Sequence, residues 1–131
     1  MNLNILVVDD HDLTILMQKK IWEKHFNIKI DSAKSAREVF ALITRKKYDL
    51  LISDLIMPGI TGKEMVYEIR KSGFKMPIIM LSSENNINHV RECISAGAND
   101  YILKPLDKLL YFKKINKFVD LSEFPTDLEI D

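Results

Sequence analysis

Apolar runs alternate with helical patterns along most of the chain. Five short apolar runs have the length of strands, and they cover residues 3–8, 28–30, 50–53, 77–81 and 101–103. Between and after these runs, apolar residues recur at the three- and four-residue spacing that is typical of a helix with one buried face. This alternation predicts βαβ units, in which helices cover a parallel sheet.

Five helices are predicted. The first covers residues 12–25 and the third covers 61–72, and Gly73 and Gly97 end the third and fourth because glycine suits the left-handed conformation found after many helices. In chain order, the positions predicted to face the core are Leu13, Leu16, Met17 and Ile21; Ala36, Val39, Phe40 and Ile43; Met65, Val66 and Ile69; Ile87, Val90 and Ile94; and Leu109, Phe112, Ile115 and Val119.

The strand sequences also predict the strand order. Runs 3–8, 50–53 and 77–81 are continuously apolar, as strands covered on both faces are. Runs 28–30 and 101–103 are shorter and have a lysine within or beside them, which is typical of edge strands. We therefore predict an α/β fold with a doubly wound, flavodoxin-like sheet of five parallel strands in the order 2-1-3-4-5. Such sheets bind ligands outside the carboxyl ends of their strands.

Length and composition indicate one globular domain. The chain has 131 residues, of which 47% are hydrophobic and 29% charged. No apolar run approaches the roughly 20 residues of a membrane-spanning helix. The 19 basic and 19 acidic residues balance, so we expect neither membrane association nor direct binding of nucleic acid.

The chain ends and the cysteine complete this picture. No signal peptide is recognisable after Met1, so a cytoplasmic location is expected. Cys93 is the single cysteine and is expected to be buried in a helix. We assign residues 1–119 to the domain and 120–131 to an acidic C-terminal tail, expected to be frayed and solvated. The acidic residues of this tail are Asp120, Glu123, Asp127, Glu129 and Asp131.

Polar side chains follow four of the predicted strands. They are Asp9 and Asp10 after the first strand, Asp54 after the third, Ser82 and Ser83 after the fourth, and Lys104 and Pro105 after the fifth. Two like charges about 4 Å apart cost roughly 4 kcal/mol at an effective dielectric constant of about 20, so the three carboxylates need a counter-ion. Their hard oxygen ligands favour Mg²⁺, for which Mn²⁺ can substitute.

A carboxylate, a cation, a lysine and a hydroxyl around one point suit phosphoryl transfer, which depends on positioning and on neutralising oxygen charge. Asp54 is the natural nucleophile because an aspartate can form an acyl phosphate. Ser82 and Lys104 would contact phosphoryl oxygens. Each residue alone is also explained by helix capping or turn formation, so it is the combination that indicates this chemistry.

The motifs V-V-D-D-H, L-I-S-D-L-I-M-P-G-I-T-G, I-I-M-L-S-S and A-G-A-N-D-Y-I-L-K-P resemble the response-regulator receiver family over residues 3 to about 119. The resemblance implies that the metal is held by Asp9, Asp10, Asp54 and the backbone carbonyl of Ile56. It implies that Asp54 is the phosphoacceptor, assisted by Lys104 and Ser82. It also implies that Ser82 and Tyr101 form the conformational switch and that Pro58, Gly62 and Pro105 have structural roles. It also implies a cis Lys104–Pro105 peptide bond.

The implied function is a signalling switch of a two-component system or phosphorelay. A sensor histidine kinase or a histidine phosphotransferase would donate the phosphoryl group while docked on the first helix. The fourth helix, fifth strand and fifth helix would then bind a target or a second copy. Such a domain is not a classical enzyme, because it catalyses only its own phosphorylation and dephosphorylation. Ile56 is an unusual residue at its position, and our hypothesis is that Ile56 and Glu84 shield the acyl phosphate from water.

Several alternatives remain open. The chain can be a stand-alone regulator, a relay intermediate, or a fragment of a larger response regulator or hybrid kinase. A flavodoxin-like electron carrier is disfavoured, because acidic residues stand where a flavin phosphate would bind. A metal-dependent phosphatase is disfavoured because Ile56 replaces the expected second acid, and a binding-only pseudo-receiver because no site residue is missing. His11, His25 and His89 are interpreted as loop or surface residues.

Overall fold

The computed structural model describes residues 3–130, where five strands and five helices alternate. In chain order they are β1 (Ile5–Val8), α1 (Asp12–Phe26), β2 (Asp31–Ala33), α2 (Ala36–Arg45), β3 (Leu50–Ser53), α3 (Gly62–Lys71), β4 (Ile78–Ser82), α4 (Ile87–Ala96), β5 (Asp100–Leu103) and α5 (Lys108–Asn116). The strands form one parallel sheet in the order β2-β1-β3-β4-β5. The predicted fold class and strand order are confirmed.

The helices cover both faces of the sheet. Alternate side chains of β1, such as Leu6 and Val8, pack with α2, α3 and α4, while Ile5 and Val7 pack with α1 and α5. The three central strands are buried along their whole length. This explains why their sequences are continuously apolar. No helix within residues 3–130 has both the length and the apolar character needed to cross a membrane.

The strand register brings the polar residues to one edge. Val8 pairs with Ser53, so the following residues, Asp9 and Asp54, leave the sheet at the same level. The Asp54 N–H donates to the Val8 carbonyl over 2.9 Å, and the Lys104 N–H donates to the Ser82 carbonyl over 2.8 Å. Backbone pairing thus continues to the residues where the site begins.

The second strand lies later in the sequence than predicted. The prediction placed it at residues 28–30, but Asp31 is the residue that pairs with Leu6 of β1. Ile28 and Ile30 are buried against the core in the segment before the strand. Ile28 and Ile30 are therefore apolar because they are buried, and not because they belong to a strand.

The predicted inner face of α1 was wrong for three of its four residues; the fourth, Ile21, is partly buried and packs against the core. Leu13 is 74% exposed, and Leu16 and Met17 are also exposed. The buried face consists of Ile15, Gln18, Trp22, His25 and Phe26. Gln18 is tolerated there because its side-chain oxygen accepts a 2.7 Å hydrogen bond from the Tyr111 hydroxyl, which in turn accepts one of 2.9 Å from the Trp22 indole. Satisfied polar groups can be buried, and this made the inner face difficult to recognise.

The other helices differ in how well their inner faces were predicted. The predicted faces of α2 and α3 are confirmed, with Phe40 partly buried. In α4, Ile87 and Ile94 are exposed, and the buried residue is Cys93, as expected for the cysteine. In α5, Phe112 and Ile115 are buried as predicted, whereas Leu109 is exposed.

The acidic residues of segment 120–130 are exposed, as the sequence predicted, but the apolar residues between them contact the domain. Leu121 is buried, and the side chains of Phe124, Leu128 and Ile130 pack against the core beside α1 and α5. Asp127 Oδ1 lies 2.7 Å from His25 Nδ1. The acidic residues are interleaved with apolar ones, and burial of the latter keeps the segment on the domain; Asp131 lies outside the described residues.

Arg70 of α3 connects the loop before β4 with the loop before β5, and its loss is expected to destabilise the fold. The guanidinium donates to the carbonyls of Phe74, Met76 and Gly97 and to Asn99 Oδ1 over 2.8 to 3.1 Å. Arg70→Met would remove the Arg70 donor from all four acceptors, and of these Asn99 Oδ1 would still accept from the Ile78 N–H. We expect a loss of about 2–4 kcal/mol in the free energy of unfolding, measured by urea denaturation. Arg37→Met, at an exposed position of α2, is the control, and an equal loss in both variants would contradict this role.

Candidate functional site

Three carboxylates meet at the carboxyl edge of the sheet, as predicted. Asp9 and Asp54 are 1% and 5% exposed, respectively, and Asp10 is partly exposed. One ligand atom from each of Asp9, Asp10, His11 and Asp54 can be chosen so that all four lie within 4.8 Å of one another. The sheet order produces this cluster because the carboxyl ends of the adjacent strands β1 and β3 lie side by side.

Lys104 supplies a positive charge to this cluster. Its Nζ lies 3.0 Å from Asp9 Oδ2 and 3.3 Å from Asp54 Oδ2. Burial by itself lowers the pKa of Lys104, but the hydrogen bonds and charges of Asp9 and Asp54 outweigh it, and the pKa is raised. The ammonium group is therefore charged at neutral pH and offsets part of the repulsion between the carboxylates.

The remaining negative charge fits a hard divalent cation. Asp10 Oδ1 is the one buried side-chain N or O atom among the described residues that has no hydrogen-bond partner. His11 Nδ1 lies 3.0 Å from it, but the geometry does not form a hydrogen bond. An unsatisfied buried oxygen is costly, and carboxylate oxygens are the ligands that Mg²⁺ prefers. The residues present therefore fit this ion.

The backbone around Asp54 orients its carboxylate. Asp54 Oδ1 accepts a 2.7 Å hydrogen bond from the Leu55 N–H, while Oδ2 faces Lys104. The start of α3 packs closely against this turn, since a Cβ on Gly62 would lie 2.5 Å from the Asp54 carbonyl oxygen. Any larger residue at position 62 would displace the loop that carries Asp54. Pro58 is exposed in the same loop.

Ser82 and Tyr101 are connected through one residue of the loop after β4. The Glu84 N–H donates to Ser82 Oγ over 3.2 Å, and the Glu84 carbonyl accepts from the Tyr101 hydroxyl over 2.8 Å. Both Ser82 and Tyr101 are buried. The Tyr101 ring therefore points inward, and Glu84 is hydrogen-bonded to the side chains of both residues.

The remaining predicted positions border the site. The Lys104–Pro105 peptide bond is cis, as the resemblance implied. Ile56 is 61% exposed and lines a pocket together with Glu84 and His89. Glu84 and Ile56 thus face the same space, as the shielding hypothesis requires.

One of the three histidines, His25, differs from the interpretation as a loop or surface residue. His25 is buried in α1 and hydrogen-bonded to Asp127. His11 is exposed, but its ring lies at the acidic cluster. The signal for His11 was its position directly after Asp9 and Asp10, whereas the sequence had no comparable signal for His25.

Comparison of sequences identifies the family. A family model of the response regulator receiver domain matches residues 5–116. The chain is 29% identical over 119 residues to the two-component response regulator ORR8 of Oryza sativa subsp. indica, covering 88% of this chain and 97% of that protein. It is 30% identical over 113 residues to protein RcaC of Microchaete diplosiphon, covering 86% of this chain but only 17% of RcaC.

Solved structures agree with this result. Chemotaxis protein CheY4 of Vibrio cholerae has a TM-score of 0.82 and 25% identity, covering 91% of this chain and all of that one. The fold is shared with the receiver domain of Ssk1 from Saccharomyces cerevisiae, solved with the histidine phosphotransfer protein Ypd1 (TM-score 0.80, 24% identity, 92% of this chain and 90% of that one). These matches favour a receiver over an electron carrier. The chain belongs to the response regulator receiver domain family of two-component systems, in which phosphorylation and Mg²⁺ binding are general properties.

Proposed function

We propose that this receiver accepts a phosphoryl group on Asp54 in a Mg²⁺-dependent reaction in the cytoplasm and signals through the surface formed by α4, β5 and α5. The observation that carries this proposal is the contact of Lys104 Nζ with both Asp9 and Asp54, beside the unpartnered Asp10 Oδ1. The test is incubation with acetyl phosphate and Mg²⁺ followed by intact-mass measurement. The protein should gain one phosphoryl group, and a folded protein that gains none would contradict the proposal.

The reaction needs few groups. A carboxylate oxygen of Asp54 forms a bond to phosphorus while the bond from phosphorus to the donor breaks, which leaves an acyl phosphate on Asp54 and releases the donor imidazole or acetate. The Lys104 ammonium pairs with one phosphoryl oxygen. The Ser82 hydroxyl donates to another. The same groups assist dephosphorylation: water attacks phosphorus, the bond from phosphorus to the Asp54 oxygen breaks, and inorganic phosphate leaves while the Asp54 carboxylate is restored.

Four residues would hold the cation. They are Asp9, Asp10 and Asp54, through their carboxylates, and Ile56, through its backbone carbonyl. When bound, Mg²⁺ neutralises negative charge on the phosphoryl oxygens and on the nucleophile, and Mn²⁺ can take its place. Ile56 contributes no side-chain ligand, which agrees with the exposure of that side chain.

The switch would run through the loop after β4. When the Ser82 side chain turns toward the phosphoryl group, its Oγ no longer accepts the hydrogen bond from the Glu84 N–H. Glu84 then moves relative to Tyr101, and the start of α4 follows because Glu84 Oε1 accepts from the Asn86 N–H over 2.8 Å. Phosphorylation thereby raises the population of an active conformation. Apolar side chains already exposed on α4, β5 and α5 are available to a target or a second copy: Ile87, Ile94, Leu103, Leu109 and Leu110.

The exposed face of α1 suits the phosphoryl donor. Leu13, Leu16 and Met17 form an apolar patch on the helix that begins beside the acidic cluster. Exposed apolar patches of this kind often mark interaction sites. A histidine phosphotransferase or the equivalent domain of a sensor histidine kinase is the donor we propose, and the complex of the Ssk1 receiver with Ypd1 supports this kind of partner.

Leu16→Glu is expected to separate docking from chemistry. A charge in the α1 patch should slow phosphotransfer from a histidine phosphotransferase that phosphorylates the wild type by about tenfold or more, since burying an unpaired charge costs more than 1.4 kcal/mol. Phosphorylation by acetyl phosphate should be unchanged. Ile94→Glu on α4 is the control and should leave both rates intact. Equal rates of phosphotransfer for Leu16→Glu and wild type would exclude docking on this patch.

Ile56→Asn is expected to shorten the life of the acyl phosphate several-fold. The exposed apolar side chain of Ile56 lines a pocket with Glu84 and with Leu55, the residue after Asp54, and we propose that from this position it excludes water from the phosphoryl group. Asparagine would admit and orient water. A phosphate-release assay on the phosphorylated protein measures the decay, with Ile94→Asn as the control. An unchanged rate in Ile56→Asn would remove the shielding hypothesis.

A further inference from the structure

His11 lies at the acidic cluster but has no part in the proposed phosphoryl transfer. Its Nδ1 is 3.0 Å from Asp10 Oδ1 and 3.1 Å from Asp9 Oδ1. The ligand atoms of these three residues and of Asp54 lie within 4.8 Å of one another. A nitrogen donor therefore stands among the carboxylate oxygens that we propose as metal ligands.

The backbone of His11 is held by two hydrogen bonds, and its exposed side chain is hydrogen-bonded through Nδ1 to Asp9 Oδ1 over 3.1 Å. The His11 N–H donates to Asp9 Oδ1 over 2.9 Å, and its carbonyl accepts from the Ile15 N–H over 3.3 Å. His11 is the N-cap residue of α1, but its side chain makes no capping hydrogen bond. The side chain is 68% exposed. Because the imidazole does not cap α1, it can exchange its contact with Asp9 for a contact with a cation without disturbing the start of the helix.

The spacing of these atoms suits a six-coordinate ion. Ligands about 2.1 Å from an octahedral ion are separated by about 3.0 Å along each edge. The distances from His11 Nδ1 to the oxygens of Asp10 and Asp9 have this length. Asp10 Oδ1, which has no hydrogen-bond partner, keeps its lone pairs available to the same ion.

Nitrogen and oxygen ligands favour different ions. Mg²⁺ prefers oxygen, whereas affinity for imidazole sites rises from Mn²⁺ through Co²⁺ and Ni²⁺ along the first transition series. We propose that His11 is a nitrogen ligand that raises the affinity of this pocket for Co²⁺-like transition-metal ions relative to Mg²⁺. The inference rests on the proposed function, since it takes the acidic pocket to be the metal site.

The test compares two metals and two forms of the full chain. Titration calorimetry measures the affinities of Mg²⁺ and of Co²⁺ for wild type and His11→Asn; asparagine is a good N-cap residue, so α1 should be retained. We expect His11→Asn to lower the affinity for Co²⁺ about tenfold, as removal of groups around a metal commonly does, and to change that for Mg²⁺ by less than about twofold. The visible absorption of bound Co²⁺ should also shift, because a nitrogen ligand is lost.

His89→Asn is the matched control. His89 is exposed and lies 3.3 Å from Glu84, outside the acidic cluster, so both affinities should stay at the wild-type values. The inference is overturned if His11→Asn leaves the Co²⁺ affinity unchanged, lowers both affinities by the same factor, or matches the effect of His89→Asn. If wild type binds Mg²⁺ but His11→Asn does not lower the affinity for Co²⁺, only this inference is contradicted. Wild type that binds neither ion contradicts the metal pocket of the proposed function as well.

Discussion

Asp54→Asn is expected to abolish the gain of a phosphoryl group from acetyl phosphate and Mg²⁺. The amide lacks the carboxylate that attacks phosphorus. Its oxygen can still accept from the Leu55 N–H, which holds Asp54 Oδ1 at 2.7 Å in the wild type, so the loop should keep its shape. Intact-mass measurement over time would show the adduct on wild type and none on the variant.

The control for Asp54→Asn is the same substitution at Asp12, an acidic residue close to the site but outside it. Asp12 lies in the first turn of α1 and forms an ion pair with Lys34, and Asp12→Asn should be phosphorylated like wild type. Circular dichroism would check that both variants are folded. If Asp54→Asn gained the adduct at the wild-type rate, Asp54 would not be the acceptor.

Lys104→Met is expected to slow phosphorylation about 10²- to 10³-fold, the usual cost of removing one group that stabilises transition-state charge. Methionine keeps much of the stem but has no charge, so Asp9 and Asp54 lose the ammonium that lies 3.0 and 3.3 Å away. The rate of adduct formation at saturating Mg²⁺ measures the effect.

Because the pKa of Lys104 is raised, the ion pair stabilises the fold fully below the ordinary lysine pKa, and this contribution is lost as pH rises through the raised value.

Lys75→Met is the control for the effect of Lys104→Met on the phosphorylation rate, because Lys75 lies at the amino-terminal ends of the strands, away from the site. Lys75 is exposed in the loop before β4, so Lys75→Met removes the same charge from the chain without touching the site. Its phosphorylation rate should equal that of wild type. A wild-type rate in Lys104→Met would show that the contacts with Asp9 and Asp54 are not used in the reaction.

The fold was predictable where burial leaves little choice of residue. A parallel strand covered on both faces must be apolar along its length, which is why β1, β3 and β4 were recognised. The second strand was misplaced because Ile28 and Ile30 are buried outside the sheet. In residues 120–130, the charged positions are exposed as predicted, whereas the packing of the apolar residues between them was not predicted, because the short spacing of acidic residues gives no sign of burial.

Helix faces were the least predictable feature. Periodicity shows that an apolar stripe exists, but it does not show whether the sheet or another protein covers it. On α1, the buried face includes Gln18 and His25, while Leu13 and Leu16 face solvent. On α4, the buried Cys93 is flanked by the exposed Ile87 and Ile94. In both helices, exposed apolar residues were mistaken for core.

By itself, the sequence determined which residues meet at the site. Parallel strands end at a common edge, so Asp9, Asp10, Asp54, Ser82 and Lys104 had to converge once the strand order was recognised. Only the tertiary structure decided the contacts within the cluster, such as Lys104 between two carboxylates and His11 beside Asp9 and Asp10. Those contacts depend on side-chain directions and on packing between segments distant in sequence, which local patterns of residues do not encode.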